Sequence, residues 1–217
     1  MTLHEYAHGQ VALWNGDYTA KGAGRLTLNP LKHFDVIGFI MLMTVGYGYA
    51  KPVPVNPYNF RHPKKGIFTV SIAGICVNII LAFVCTALYM GFGVWLNHTS
   101  SVLGLRVVGF FYEFFIYMVV INSSLAVFNL LPLYPLDGFR ILESFTRYNN
   151  KITSFLRNYG RYILIGLIGI SIIIDVFNLK AISPAFYYID ILGLVMDKVA
   201  GGLQYVFRLF WGLIIVH

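Results

Sequence analysis

Three stretches of the chain are apolar almost throughout. Ile67–Leu96 is broken only by small or neutral polar side chains such as Ser71, Asn78 and Thr86, and it carries no charge. It exceeds the roughly 20 residues needed to cross a bilayer as a helix. Val107–Leu133 is a second such stretch, with the single acid Glu113, and Tyr162–Leu179 is a third, with Asp175 near its far end. Each predicts a transmembrane helix, the element that satisfies its own backbone groups where no water can. Val36–Ala50 is too short for a comfortable crossing and contains Gly38, Gly46 and Gly48. It predicts a re-entrant or sheet-like segment, which lipid permits only where protein covers the backbone. Ala185–Val216 mixes apolar residues with Asp190, Asp197, Lys198 and Arg208, a pattern open to an interfacial segment or to a last packed helix.

Composition turns these stretches into a class. Of 217 residues, 58% are hydrophobic and only 12% charged, where a soluble domain carries about 25% charged residues. With a mean hydropathy of +0.70, too little polar surface remains to coat a water-soluble globule. The expected fold is therefore an all-α polytopic membrane protein, a bundle of transmembrane helices with the short re-entrant or sheet-like segment near the active site. No internal repeat or long linker divides it, so residues 1–217 are expected to form a single membrane-embedded domain. Cys76 and Cys85 lie in one apolar run, about 13 Å apart on a helix, beyond disulfide reach.

The net charge of +7 reports orientation, because no basic cluster sits beside a platform for stacking bases. Nucleic acid is excluded as a partner and the lipid bilayer takes its place. Lys21, Arg25 and Lys32 fall in one loop, Lys51, Arg61, Lys64 and Lys65 in a second, and Arg140, Arg147, Lys151, Arg157 and Arg161 in a third. All three loops are expected to face the cytoplasm. That requires Val36–Ala50 to enter and leave on one side. No cleavable signal peptide is visible, since the first apolar stretch holds His4, Glu5 and His8.

Those three residues carry the chemistry. Met1-Thr2-Leu3-His4-Glu5-Tyr6-Ala7-His8 contains H-E-x-x-H. On a helix, positions i and i+4 share a face, so His4 and His8 can reach one Zn2+ ion, with Glu5 beside them as general base. A catalytic zinc takes three protein ligands and keeps a position open. The third candidate follows the second span, in Asn129-Leu130-Leu131-Pro132-Leu133-Tyr134-Pro135-Leu136-Asp137-Gly138. Pro132 and Pro135 break the helix, which lets Asp137 turn inward, while Gly138 permits a close approach or a positive φ. Alternatively, Asp137 caps a following helix over Phe139–Thr146. Asn129 lies two turns before Asp137 and could offset charge developing on an attacked carbonyl oxygen.

H-E-x-x-H near the start, L-D-G at the end of a later span, and an Asn eight residues before that Asp resemble the site-2 proteases, intramembrane zinc metalloproteases. Gly24–Asp35, Ala50–Pro57 and Ala73-Gly74 with Asn78 are similar to segments of their compact prokaryotic branch. The resemblance covers about residues 3–145 and leaves 160–217 as a helical C-terminal extension. It implies zinc held by His4, His8 and Asp137, Glu5 as general base, and Asn129, with or without Asn78, steadying the oxyanion. It implies a membrane-protein substrate and a prokaryotic cell membrane, with the active site towards the cytoplasm. The family usually has an apolar helix leading into H-E-x-x-H, whereas three residues precede His4 here. A truncated N-terminus is therefore expected, because a ligand at position 4 stands on a turn whose amides lack helical partners.

Other polar residues have competing readings. A buried Asn78 serves either helix–helix hydrogen bonding or the oxyanion. His33 sits in a loop without ligand spacing and reads as structural, and His62, His98 and His217 have still less claim. The proline-rich Lys51–Pro57 cannot be helical. It either holds an unwound substrate by strand addition or is a plain rigid loop. The functional expectation is an intramembrane endopeptidase. Its rival is a non-proteolytic membrane-protein binder with an inactive zinc site, and a zinc transporter fits less well because only one ligand cluster is evident.

Overall fold

The computed structural model describes residues 1–45, 48–147 and 150–215, so Gly46, Val216 and His217 lie outside the described residues. The described residues are helical with irregular connections and contain no strand. Three helices are long and apolar enough to cross a membrane: α4 (Pro63–His98), α5 (Val102–Leu130) and α7 (Lys151–Val176). They follow α1 (Thr2–Trp14), the short α2 (Thr19–Gly22) and α3 (Val36–Val45). A short α6 (Asp137–Phe145) separates α5 from α7. After α7 come α8 (Leu179–Ile182), α9 (Ala185–Ile189), α10 (Ile191–Val195), a π turn over Met196–Ala200 and α11 (Gly201–Ile215).

Helix ends follow local chemistry more closely than the apolar runs do. Pro63 opens α4 at the position where its missing N–H costs nothing. At 36 residues, α4 is about 54 Å long and overshoots a roughly 30 Å hydrocarbon core, so Lys64 and Lys65 stand in its first, polar turn. α5 ends at Leu130, short of the expected Leu133, because Pro132 bars the residue before it from helical geometry. α7 starts well before Tyr162, where the Asn150 side chain accepts the Ile152 N–H at 2.9 Å and caps the first turn.

The sheet-like alternative for Val36–Ala50 is not what forms. Val36–Val45 is a ten-residue helix, about 15 Å long, capped by the Asp35 carboxylate, which accepts the Gly38 N–H at 2.9 Å. Gly38 lies inside it, and Leu, Met and Ile dominate the rest. The course is nonetheless a return. Lys51 N–H donates to His33 C=O at 2.9 Å, and a Cβ on Gly38 would overlap the Tyr49 carbonyl. The segment therefore leaves and re-enters at one place.

The chain groups into two compact units. One comprises Met1–Val77 and Asn129–Asp190, and the other Asn78–Phe128 and the chain from Ile191 onward. In the first, Ala12, Phe60 and Val70 form a small core with Val11, Val55 and Ile67 against it. A polar clasp lies beside it. Buried Asp17 accepts the Asn56 N–H at 2.7 Å, the Asn59 amide at 2.8 Å and the Thr19 N–H at 3.0 Å, which ties the end of α1 to residues 56–59. Asp175 and buried Asp190 share Lys180, at 3.1 and 2.7 Å. In the second unit, α11 packs as a last helix. Phe207, Phe210 and Trp211 surround Phe83, Trp211 Nε1 donates to Phe83 C=O at 2.9 Å, and Gln204 Nε2 donates to Ser123 Oγ at 2.6 Å.

Candidate metal centre

α1 places His4 and His8 one turn apart on its buried face, and both residues are under 10% exposed. His8 Nδ1 lies 2.7 Å from Val70 C=O. A carbonyl can only accept, so Nδ1 carries the proton and Nε2 presents its lone pair. Gly74, one turn further along α4, makes room for the pair. A Cβ there would stand 2.5 Å from His4 Cε1 and 2.6 Å from His8 Nε2.

Asp137 completes the cluster from α6. The helix begins at Asp137 itself, with Leu136 as N-cap and no capping hydrogen bond from a side chain. The capping alternative thus gives way, and the carboxylate turns towards the histidines. Gly138 works by close approach, because a Cβ there would overlap the Leu130 carbonyl, and it has no positive φ. Asp137 Oδ2 lies 3.3 Å from His4 Nε2 and 3.2 Å from His8 Nε2, and the two Nε2 atoms are 2.9 Å apart. Burial pushes the Asp137 carboxyl up, but the two imidazoles outweigh it and hold the group well below the usual carboxylate range. It is an anion at neutral pH.

The donor set fits zinc. Tetrahedral bonds of 2.0–2.1 Å put ligand atoms roughly 3.3 Å apart, close to the observed separations. Asp137 Oδ2 is buried and makes no well-formed hydrogen bond, as an oxygen reserved for a cation would be. Among the described residues, no other group of His, Cys, Asp and Glu side chains meets this spacing.

Glu5 and Asn129 line the same cavity, of about 140 Å³, together with Pro52, Val53 and Arg140. Glu5 Oε2 accepts the Val53 N–H at 2.8 Å, which orients the carboxylate through one oxygen. Asn78 is fully buried on α4 but does not line the cavity. His33 is buried with Nε2 2.8 Å from Thr27 C=O, so it is structural, as its lack of ligand spacing implied.

Comparison with known proteins gives one family match and two relatives. The sequence pattern of Peptidase family M50, the site-2 protease family, matches residues 98–171, which include Asn129 and Asp137. A Bacillus subtilis (strain 168) protein, YwhC, named as a candidate zinc metalloprotease, is 44% identical over 146 residues, 65% of this chain and 63% of its own length. The chain is thus similar to peptidase family M50 over residues 98–171. A second relative, Rip2 of Mycolicibacterium smegmatis (strain ATCC 700084 / mc(2)155), also named as a candidate zinc metalloprotease, is 31% identical over 150 residues, 66% of this chain and 52% of its own length. The chain thus spans between half and two thirds of the curated relatives it matches. No solved structure matches it significantly. The family match stops short of H-E-x-x-H, so for His4, Glu5 and His8 the convergence with Asp137 is the independent argument.

Sequence reasoning missed three contributors to this site. Val53 and Val70 act through backbone groups, which no side-chain identity announces. Arg140 lines the cavity although it read only as a basic loop residue.

Proposed function

We propose that this chain is a zinc-dependent intramembrane endopeptidase that hydrolyses a peptide bond in a transmembrane or membrane-tethered protein. The observation that carries the reading is the convergence of His4, His8 and Asp137, with Glu5 and Asn129 lining the same cavity. When bound, zinc supplies Lewis acidity, which makes water reactive near neutral pH. Glu5, held by Val53 through Oε2, takes the proton of the attacking water and returns it to the departing amine. The Asn129 amide donates towards the carbonyl oxygen as it gains charge.

Substrate enters from the side of Lys51–Pro57. Arg25 binds the Lys51 and Pro52 carbonyls at 2.8 and 3.1 Å and holds the segment in place. The Lys51 and Val53 N–H groups are taken by His33 and Glu5. Among the described residues, Val55 N–H and the Val53 and Val55 carbonyls remain open to an extended substrate. A peptide bond in a helix is shielded, so the substrate unwinds first. The three basic loops support a site on the cytoplasmic side of the membrane.

The test compares membrane-protein fragments in cells producing the wild type or Glu5→Gln. New internal N-termini in membrane proteins, absent with Glu5→Gln, are expected. Their absence from the wild type, with zinc bound, would favour a non-proteolytic binder.

A further inference from the structure

A second cavity, of about 270 Å³, opens beside the metal site. Val55, Val70 and Arg140 line both cavities, so the two share a wall. Phe60, Ile67 and Phe139 give it apolar walls. The mechanism above uses none of these side chains. The volume sits just under the roughly 300 Å³ at which small-molecule pockets begin, which suits one large side chain better than a whole ligand.

Its polar groups narrow the choice. Ser71 is only 1% exposed, and its Oγ has no hydrogen-bond partner among the described residues. A buried hydroxyl left unpaired costs about 1–3 kcal/mol, so such a group within an apolar cavity marks a place for a polar tip. At the rim, Glu143 is paired with Arg157, and Arg140 has no acidic partner among the described residues. The rim is therefore net positive and repels a lysine or arginine side chain.

Resting on the peptidase reading, we propose that this cavity receives the substrate side chain next to the scissile bond and selects a bulky apolar residue with a hydroxyl tip, tyrosine. Ser71 is its specificity-determining residue. The aromatic body fills the space between Ile67 and Phe139, the hydroxyl bonds Ser71 Oγ, and Arg140, which lines both cavities, faces the substrate backbone.

The experiment measures binding and cleavage separately. The full chain carrying Glu5→Gln, loaded with zinc in detergent, is titrated with fluorescent single-span Leu/Ala peptides in which one tyrosine is scanned through the apolar segment. At one position, tyrosine is expected to bind about tenfold more tightly than phenylalanine, and lysine more weakly than alanine. Adding Ser71→Ala should bring tyrosine and phenylalanine to within twofold, and Ser71→Leu, which fills the cavity, should make alanine the preferred residue. Zinc content reports that the variants are folded. The same peptides are then offered to the wild-type chain for cleavage. Binding without side-chain preference, or a tyrosine preference that survives Ser71→Ala, overturns the pocket whatever the turnover. A Ser71-dependent preference without cleavage upholds the pocket and overturns the peptidase reading.

Discussion

Replacing Gly74 with alanine adds a single methyl group to the floor of the metal site. Its Cβ would lie 2.5 Å from His4 Cε1, 2.6 Å from His4 Nδ1 and 2.6 Å from His8 Nε2. Carbon atoms pack at about 3.5–4.0 Å, so the rings must retreat by about 1 Å. Metal–ligand distances hold to about ±0.2 Å, so such a shift removes at least one nitrogen from coordination. Zinc affinity should fall by at least about 100-fold, the upper end of what disturbing supporting groups alone does. The fold itself should change little. Alanine gains about 1 kcal/mol of helix propensity over glycine, against about 1–3 kcal/mol for overpacking. Gly91→Ala on the same helix is the control, because nothing lies within 4 Å of its added Cβ. Competition with a chelator of known affinity measures zinc binding, and a helical circular dichroism melt of the metal-free protein measures the fold. If Gly74→Ala binds zinc as tightly as the wild type, the imidazoles do not stand over Gly74 and the geometry of the centre is wrong.

Three further predictions reach other parts of the account. Gly138→Ala should lower both zinc content and thermal stability, because its Cβ meets the Leu130 backbone, which cannot swing aside as a side chain can. Burial pushes the Asp17 carboxyl up, but hydrogen bonds from Thr19, Asn56 and Asn59 outweigh it and hold the group below its ordinary value. Its stabilisation is therefore complete above an unfolded value of about 3.9 and is lost as pH falls through the lower folded value. Melts between pH 3 and 7 should show a steeper acid limb for the wild type than for Asp17→Asn, and parallel limbs would refute the clasp. Proline or glycine near the scissile bond of a membrane substrate should speed cleavage, whereas faster cleavage of an uninterrupted Leu/Ala helix would refute extended presentation along Lys51–Pro57.

What the sequence reveals is what local pattern encodes. The i, i+4 spacing of His4 and His8 survives into the structure because it depends only on helix geometry. Pro132 likewise breaks the chain ahead of Asp137 wherever the helices pack. That the segment around Val36–Ala50 returns towards its start, with Lys51 N–H on His33 C=O, was legible from length and charge, but the helicity of Val36–Val45 was not. The packing of α11 depends on Phe83 and Ser123, distant in sequence, and no periodicity within 191–215 announces them. The same holds for the Val53 N–H on Glu5 and the Val70 carbonyl on His8, which are backbone contacts across 48 and 62 residues.

The central claim is that His4, His8 and Asp137 hold one catalytic zinc that Glu5 serves without binding it. Metal content and turnover, measured together on the purified wild type, Glu5→Gln and Asp137→Ala, test it most directly. The account predicts about one zinc per chain and cleavage for the wild type, undiminished zinc without cleavage for Glu5→Gln, and loss of both for Asp137→Ala. Full zinc in Asp137→Ala, or normal cleavage by Glu5→Gln, would contradict it.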